Sequence, residues 1–284
     1  MIVGDALRLA AARLLRAGVE SPRIAAEWSL AARLGIGRLE LPLRYREALT
    51  FPCAQAWEAD LERLAAGEPI QYVMGSAVFF GREFRVDSRA LIPRPETEEL
   101  ACRVLACDEL WARPKPGVCD VGTGSGCLAI TLALERPGAV LLGSDLSGAA
   151  LALASENARH LGAESRVRWI CADLLDGVED ASLDAVVSNP PYIESGALAM
   201  LDRQVRDFEP GMALDGGPDG LRVIRRLIPQ AFRTLLPGGR LWLEIGETQA
   251  GAVSALAQSA GFRDIAVAKD IAGRDRILSA RIAG

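Results

Sequence analysis

Asn189-Pro190-Pro191-Tyr192 closes an apolar segment, Leu183 to Ser188, that has the composition of a buried strand. Neither proline can donate a backbone hydrogen bond, and each pushes the residue before it out of helical geometry. The segment is therefore expected to be a stiff, extended loop with undonated carbonyls. Asn189 and Pro190 then offer two acceptors at the carboxyl end of a strand. Such a pair can grip both hydrogens of an exposed NH2 group, while Tyr192 supplies a flat aromatic face for the rest of a planar group. An amide or an exocyclic amine suits this site, and the chemistry it points to is methyl transfer to a planar nitrogen.

A second constellation lies upstream. Asp120-Val121-Gly122-Thr123-Gly124-Ser125-Gly126 ends a short apolar strand and leads into a helix. Its three glycines let the backbone turn tightly and approach a ligand closely. The GxGxG spacing differs from the GxGxxG dinucleotide fingerprint, so the loop alone does not name its ligand. Asp145 follows at the end of the next strand, where a carboxylate can accept hydrogen bonds from both ribose hydroxyls. Asp173 lies past the third strand, placed to meet an adenine edge together with backbone from Ala172 and Leu174. Each element has a plainer reading: a helix cap for Asp145, a loop residue for Asp173, an ordinary turn for Asn-Pro-Pro. An S-adenosylmethionine-dependent methyltransferase, with S-adenosylhomocysteine as product, accounts for all four together.

The elements that must position these residues alternate along the chain. Beyond Leu91 the pattern predicts helix Glu96 to Cys107, strand Val118 to Val121, helix Cys127 to Leu134, strand Val140 to Ser144 and helix Gly148 to Leu161. Strands Arg166 to Cys171 and Leu183 to Ser188 follow, then helix Leu221 to Leu235, strand Arg240 to Ile245, helix Ala250 to Ala260 and two terminal strands. This is the pattern of an open parallel α/β sheet with helices on both faces. The first 72 residues instead show helical periodicity, with a helix ending at Gly18, an N-cap at Ser21-Pro22 and further helix ends near Gly35 and Gly67. Residues 73–90, with aromatic residues and glycine breaks from Val73 to Val86, read as a β-hairpin linker. The expected organisation is a helical domain over 1–72, the hairpin over 73–90 and an α/β domain over 91–284.

Composition narrows the partners. The chain has 284 residues, of which 50% are hydrophobic and 24% charged, enough for one large domain and a smaller one. A net charge of -5 argues against a protein whose main partner is bulk nucleic acid. Six cysteines without CxxC spacing and one histidine make a metal site unexpected, and the cysteines read as small buried thiols. His160, near a predicted helix end, reads as an exposed or capping residue. There is no apolar run of membrane-spanning length and no secretory pattern, so a cytoplasmic monomer without membrane contact is expected.

Beyond these readings the chain resembles the release-factor glutamine methyltransferase family (PrmC, also called HemK) over nearly its whole length. Asn189-Pro190-Pro191-Tyr192 also occurs in DNA adenine methyltransferases, so the discriminating stretches are Pro69 to Gly75, Phe79 to Val86 and Leu91-Ile92-Pro93-Arg94-Pro95-Glu96-Thr97-Glu98. Glu209-Pro210, Ala213-Leu214, Gly216-Gly217 and Asp219-Gly220-Leu221 match the family pattern further on. The resemblance implies methylation of the glutamine side-chain nitrogen in the Gly-Gly-Gln motif of bacterial class I peptide chain release factors. It also implies a small N-terminal all-α domain that helps hold the factor, joined by the hairpin to a seven-stranded Rossmann-like methyltransferase sheet. Carried over, Gly122 to Gly126 and Asp145 bind the cofactor, Asn189 touches cofactor and substrate, and Pro190 to Tyr192 complete the glutamine site. Leu174 falls at a cofactor-contacting position where some relatives carry tryptophan.

No general base is expected, because no side chain can deprotonate an amide at neutral pH. An adenine-amino methyltransferase is the main alternative, since its substrate presents a similar NH2, but it would call for a basic recognition surface. A nucleotide-sensing module without catalysis leaves the Asn-Pro-Pro-Tyr loop without a role. Arg94 and Glu96 are candidates for the mouth of the site.

Overall fold

The computed structural model describes all 284 residues, and these divide into two compact units: Met1–Ser76 with Asp202–Phe208, and Ala77–Leu201 with Glu209–Gly284. In the first, α1 (Val3–Arg16), α2 (Pro22–Leu34), α3 (Leu41–Arg44), α4 (Phe51–Ala65) and α5 (Ile70–Met74) enclose one apolar core. In α1 the buried residues Val3, Ala6, Leu7, Ala10 and Leu14 recur at helical spacing, which gives the helix a single inward stripe. The one acidic group in this core, Asp60 of α4, is met by both arms of the Arg33 guanidinium at 2.5 and 2.6 Å. That bidentate geometry compensates for its burial.

Two local expectations change here. Pro22 opens α2, but Ser21 does not cap it: at φ 51° and ψ 52° it is left-handed, and its side chain makes no cap hydrogen bond. A capping residue needs extended backbone to reach the exposed N–H groups. The hairpin also begins later than Val73. Val73 is buried in the helical core as part of α5, which ends at Gly75 with φ 72°.

The second unit carries the hairpin of β1 (Ser76–Phe79), from its second residue on, and β2 (Arg82–Arg85). Phe79 and Phe84 are fully buried, edge to face with centroids 6.0 Å apart, inside the core beside the large sheet. The hairpin is thus anchored in this unit. There follow α6 (Pro95–Leu105), α7 (Asp108–Trp111), β3 (Gly117–Val121), α8 (Cys127–Glu135), β4 (Val140–Asp145), α9 (Gly148–His160), β5 (Val167–Cys171) and β6 (Leu183–Ser188). Next come α10 (Arg203–Phe208), which groups with the first unit, then α11 (Arg222–Thr234), β7 (Leu235–Glu244), α12 (Ala250–Ala260), β8 (Arg263–Lys269) and β9 (Asp275–Arg281).

Seven strands form one sheet in the order β5-β4-β3-β6-β7-β9-β8. The first five are parallel, and β9 runs antiparallel to β7 and β8. Residues on β3 and β6 are covered on both faces, which is why they read as apolar runs without alternation. α8 is buried from Cys127 through Ala133, whereas α11 hides Ile224, Leu227, Ile228 and Ala231 and turns Arg222, Arg225, Arg226 and Arg233 outward. The chain runs outward from β3 through β4 to β5 and then returns to lay β6 on the opposite side of β3. In an open α/β sheet a ligand crevice forms at such a reversal, beyond the carboxyl ends of the strands.

α9 is anchored by Ser147, whose hydroxyl oxygen accepts from the Ala150 N–H at 3.2 Å. Loss of such a cap costs about 1 kcal/mol, so Ser147→Ala is expected to lower the urea midpoint by that amount of stability and leave the fold intact. Of the six cysteines only Cys119 and Cys127 are buried, while Cys102 and Cys171 are exposed. Cys102 falls on the outer face of α6, and Cys171 ends the edge strand β5, positions that helical and strand spacing leave to solvent. No helix is long and apolar enough to cross a membrane.

Candidate active site

The carboxyl ends of β3, β4, β5 and β6 surround a cavity of about 590 Å³ whose lining includes Gly122, Gly124, Asp145, Leu174, Asn189 and Pro191. The loops that form it are tied to one another by short polar contacts. At the end of β3, the Asp120 carboxylate accepts from the Thr123 hydroxyl at 2.6 Å and from the Ala129 N–H at 3.1 Å. This stitches the glycine loop to the first turn of α8. Burial pushes the Asp120 carboxyl up to about 7, against the pull of those two donors. Gly122 and Thr123 donate their N–H groups to the Ser144 carbonyl at 2.8 and 3.0 Å, clamping the loop to the end of β4.

Asp145 is held from two sides. One carboxylate oxygen accepts from the Gly124 N–H and the other from the Ser147 N–H, both at 2.9 Å. These contacts fix the carboxylate at the cavity wall while each oxygen retains a lone pair for a further donor. Ser144 reaches sideways to donate its hydroxyl to the Leu174 carbonyl at 2.7 Å, and Leu174 lines the cavity with left-handed backbone at φ 59°. Asp173 also lines the cavity, but its carboxylate is engaged by Arg226 of α11 at 2.7 Å.

Gly126 stands apart from the other loop residues because it does not line the cavity. With φ 79°, its Cα faces Ala154, Ile130 and Trp169, and a Cβ there would lie 3.0 to 3.1 Å from their atoms. Its role is close packing of the loop on α8 and α9. Ser125 and Thr123 do line the cavity, although both are buried and the Thr123 hydroxyl is committed to Asp120.

Beyond β6, Asn189 and Pro191 line the cavity while Pro190 is buried beside them. Ser188 donates its hydroxyl to the Val121 carbonyl at 2.6 Å, so the ends of β3 and β6 are locked together directly before the loop. The Asn189 amide nitrogen donates to the Thr97 hydroxyl oxygen at 2.9 Å. Thr97 in turn donates to Glu244 at 2.7 Å, and the Tyr192 hydroxyl donates to the other oxygen of the same carboxylate at 3.1 Å. The ring of Tyr192 packs with the apolar cluster under α11 and α12. Tyr192 is not among the residues that line the cavity, and its hydroxyl buttresses the loop from behind.

Glu244 ends β7 and is 1% exposed. Burial pushes its carboxyl up to about 7, opposed by hydrogen bonds from Thr97 and Tyr192 and by the charge of Arg276. Burial, reinforced by the neighbouring Glu244, raises the Tyr192 phenol as well, so it remains a donor. Sequence reading missed both Thr97 and Glu244. Glu244 had a signal, a lone carboxylate inside the apolar run Leu241-Trp242-Leu243-Glu244-Ile245, which a buried strand tolerates only when it is partnered.

The chain after the loop is pinned as well. Gln249 donates its side-chain amide to the Tyr192 carbonyl at 3.0 Å, and Ile193 exchanges backbone hydrogen bonds with Leu214 and Gly216. Gly220 passes so close that a Cβ would lie 2.3 Å from the Tyr192 carbonyl oxygen. At the mouth, Arg94 forms an ion pair with the buried Glu209, which also accepts from the Ile92 N–H at 3.2 Å. Arg94 lines the cavity and Glu96 does not.

Taken together, the cavity offers a fixed carboxylate beside a glycine loop at one end and an oriented amide on a proline-stiffened loop at the other. The first suits a nucleoside with free ribose hydroxyls, and the second suits a planar group with hydrogens to donate. Comparison with known proteins identifies the family. Residues 5–75 match the model of the PrmC N-terminal domain, and residues 101–206 match that of the methyltransferase small domain. A release factor glutamine methyltransferase from Cereibacter sphaeroides is 42% identical over 99% of this chain and 99% of its own. One from Moorella thermoacetica is 44% identical over 97% of each, and one from Deinococcus radiodurans 41% over the full length of both. Among solved structures, a methyltransferase from Pyrococcus furiosus superposes with a TM-score of 0.53 at 16% identity, covering 73% of this chain and 92% of that one. A 16S rRNA methyltransferase from T. thermophilus, in complex with AdoMet and guanosine, gives 0.51 at 20% identity, covering 73% and 49%. The two structures share the methyltransferase fold, and the full-length relatives settle the rest: the chain belongs to the release factor glutamine methyltransferase family.

Proposed function

We propose that this enzyme methylates the side-chain amide nitrogen of the glutamine in the Gly-Gly-Gln motif of peptide chain release factors, and so modulates translation termination. The observation that carries the reading is that Asn189 and Pro191 of the Asn-Pro-Pro-Tyr loop line the same cavity as Asp145. On this reading Asp145 binds the ribose, Gly122 to Ser125 wrap the cofactor chain, and Asp173 and Leu174 flank the adenine. Gly126 contributes by holding the loop against α8. S-adenosylmethionine, when bound, supplies an electrophilic methyl group on a sulfonium sulfur.

The protein's own part is orientation. An amide nitrogen is a weak nucleophile because its lone pair is delocalised into the carbonyl. The Asn189 side-chain oxygen and the Pro190 carbonyl accept its two hydrogens, aim the nitrogen and stabilise the positive charge that develops on it. Alignment of the two reactants is worth about 7 to 11 kcal/mol of barrier when the geometry is near attack distance. Pro191 closes the wall, and Tyr192 keeps the loop in place through Glu244. The helical unit formed by Met1–Ser76 serves to hold the release factor. A protein substrate in place of nucleic acid agrees with the net charge of -5.

Incubation with methyl-labelled cofactor tests this reading, with release factor, a factor carrying Gln→Asn in its Gly-Gly-Gln motif, DNA and RNA as parallel acceptors. Label is expected in the unaltered factor alone. Label in nucleic acid, or equal label in the two factors, would refute the assignment.

A further inference from the structure

We infer that Thr97 and Glu244 are positioning residues that decide which end of the Asn189 amide faces the substrate. This rests on the reading of Asn189 as an acceptor for the substrate NH2. The two ends of an asparagine amide have nearly the same shape but opposite hydrogen-bonding character, and only the oxygen end can receive an NH2 group. Rotation by half a turn would set donors against donors. Something must therefore fix the orientation, and the chain of contacts behind the cavity does so.

A carboxylate has only acceptors, so Glu244 must take the single hydroxyl hydrogen of Thr97, across 2.7 Å. The Thr97 oxygen is then left to accept, and the Asn189 amide must present its nitrogen to it, at 2.9 Å. The oxygen end of Asn189 is thereby the free end. The same carboxylate receives the Tyr192 hydroxyl at 3.1 Å, so one buried group secures both ends of the Asn-Pro-Pro-Tyr loop. Thr97 is 4% exposed and Glu244 1%, which leaves bulk water little access to either group. The contact brings together residues 92 and 52 positions apart along the chain, from α6, β7 and the loop after β6.

Protonation of Glu244 undoes the lock. A protonated carboxyl can donate, which frees the Thr97 hydrogen to turn toward Asn189 and favours the flipped amide. The charged and titratable groups facing Glu244 are Tyr192 from the loop, Arg276 from β9 and Glu96 from α6. Arg276 favours the carboxylate, while Glu96 and burial favour the acid, leaving Glu244 at about 7. Turnover is therefore expected to decline as pH falls through this range, because the locking carboxylate is lost on the acid side.

The test uses the full chain and three variants. Thr97→Val keeps the shape and removes the hydroxyl; Thr97→Ser restores it; Glu244→Gln removes the titration and, like the protonated acid, has a donor as well as an acceptor. The first readout needs no substrate: solvent exchange of the Asn189 side-chain amide by nitrogen-15 NMR, with the resonance assigned by its loss in Asn189→Asp. Exchange is expected to be slow in wild type and Thr97→Ser and fast in Thr97→Val. The second is release-factor methylation, where Thr97→Val is expected to lose turnover by about 10²-fold, the size of effect seen for small misplacement of reacting groups. Its cofactor affinity should stay near wild type, and Thr97→Ser should recover most of the rate. The acid limb should be absent in Glu244→Gln. Equal exchange in wild type and Thr97→Val, or full turnover in Thr97→Val, or an unchanged acid limb in Glu244→Gln, would overturn the inference. A wild-type protein that leaves the release factor unmethylated would instead count against the substrate, since the exchange measurement stands without one.

Discussion

Replacing Asn189 by alanine is expected to lower turnover on the release factor by about 10² to 10³-fold, the loss seen when one preorganised group that stabilises transition-state charge is removed. The effect should fall on kcat. On the proposed reading Asn189 meets the substrate from a loop whose frame is set by other residues: Ser188 on Val121, Gln249 on the Tyr192 carbonyl, and the Tyr192 hydroxyl on Glu244. Those contacts survive the substitution, so the loop keeps its path and the cofactor end of the cavity is undisturbed. Binding of S-adenosylhomocysteine, measured by calorimetry, should accordingly change little. A variant with near-normal turnover, or one that loses cofactor binding and turnover in equal measure, would remove Asn189 from the role assigned to it.

The opposite split is expected for Asp145. Hydrogen bonds to a charged group contribute about 1.5 to 3 kcal/mol each, so Asp145→Ala should weaken cofactor affinity by about 10²-fold. The Gly124 and Ser147 N–H groups lose their partner in this variant, which loosens the glycine loop at its middle and the turn before α9. Asp145→Asn should be intermediate, because its amide has one acceptor oxygen where the carboxylate has two. Calorimetric titration with S-adenosylhomocysteine reads the affinity, and turnover at saturating cofactor should recover toward wild type. Wild-type affinity in Asp145→Ala would move the ribose elsewhere in the cavity.

The sheet and its loops were legible in the sequence because each strand there is short, apolar and followed by a residue type that chemistry requires. β3, β4, β5 and β6 each run into the loop that was expected to carry a site residue, and the seven-stranded sheet agrees with the resemblance. What was not legible depends on contacts between residues far apart in the chain. Ser21-Pro22 has the composition of a cap, but nothing local announces the left-handed backbone that turns the serine away. Val73 reads as hairpin because it opens the aromatic, glycine-broken stretch to Val86, yet its burial among the helices decides for α5. Gly126 looks like one more cofactor glycine until the side chains of Ala154, Ile130 and Trp169 are seen around it.

Tyr192 and Thr97 show the same limit at the site itself. An aromatic residue on a substrate loop suggests stacking, and only the position of Glu244, 52 residues later, reveals that its hydroxyl is drawn inward. Thr97 stands inside a conspicuous polar stretch at the start of α6, where each neighbour found a different task. Glu98 accepts from the Phe80 N–H at 2.7 Å and so holds the hairpin turn, while Arg94 pairs with Glu209 across the mouth. The stretch that singles out the family in sequence thus serves in the fold as a set of ties between the hairpin, the cavity mouth and the Asn-Pro-Pro-Tyr loop.

The central claim, that a glutamine side-chain nitrogen receives the methyl group, is tested most directly by locating that group on the product. Release factor methylated by this enzyme, digested and fragmented in a mass spectrometer, is predicted to carry a single added methyl on the glutamine of its Gly-Gly-Gln motif. Hydrolysis of the peptide should release methylamine, as a methylated side-chain amide must. A methyl group on any other residue of the factor, or a product that releases no methylamine, would contradict the account.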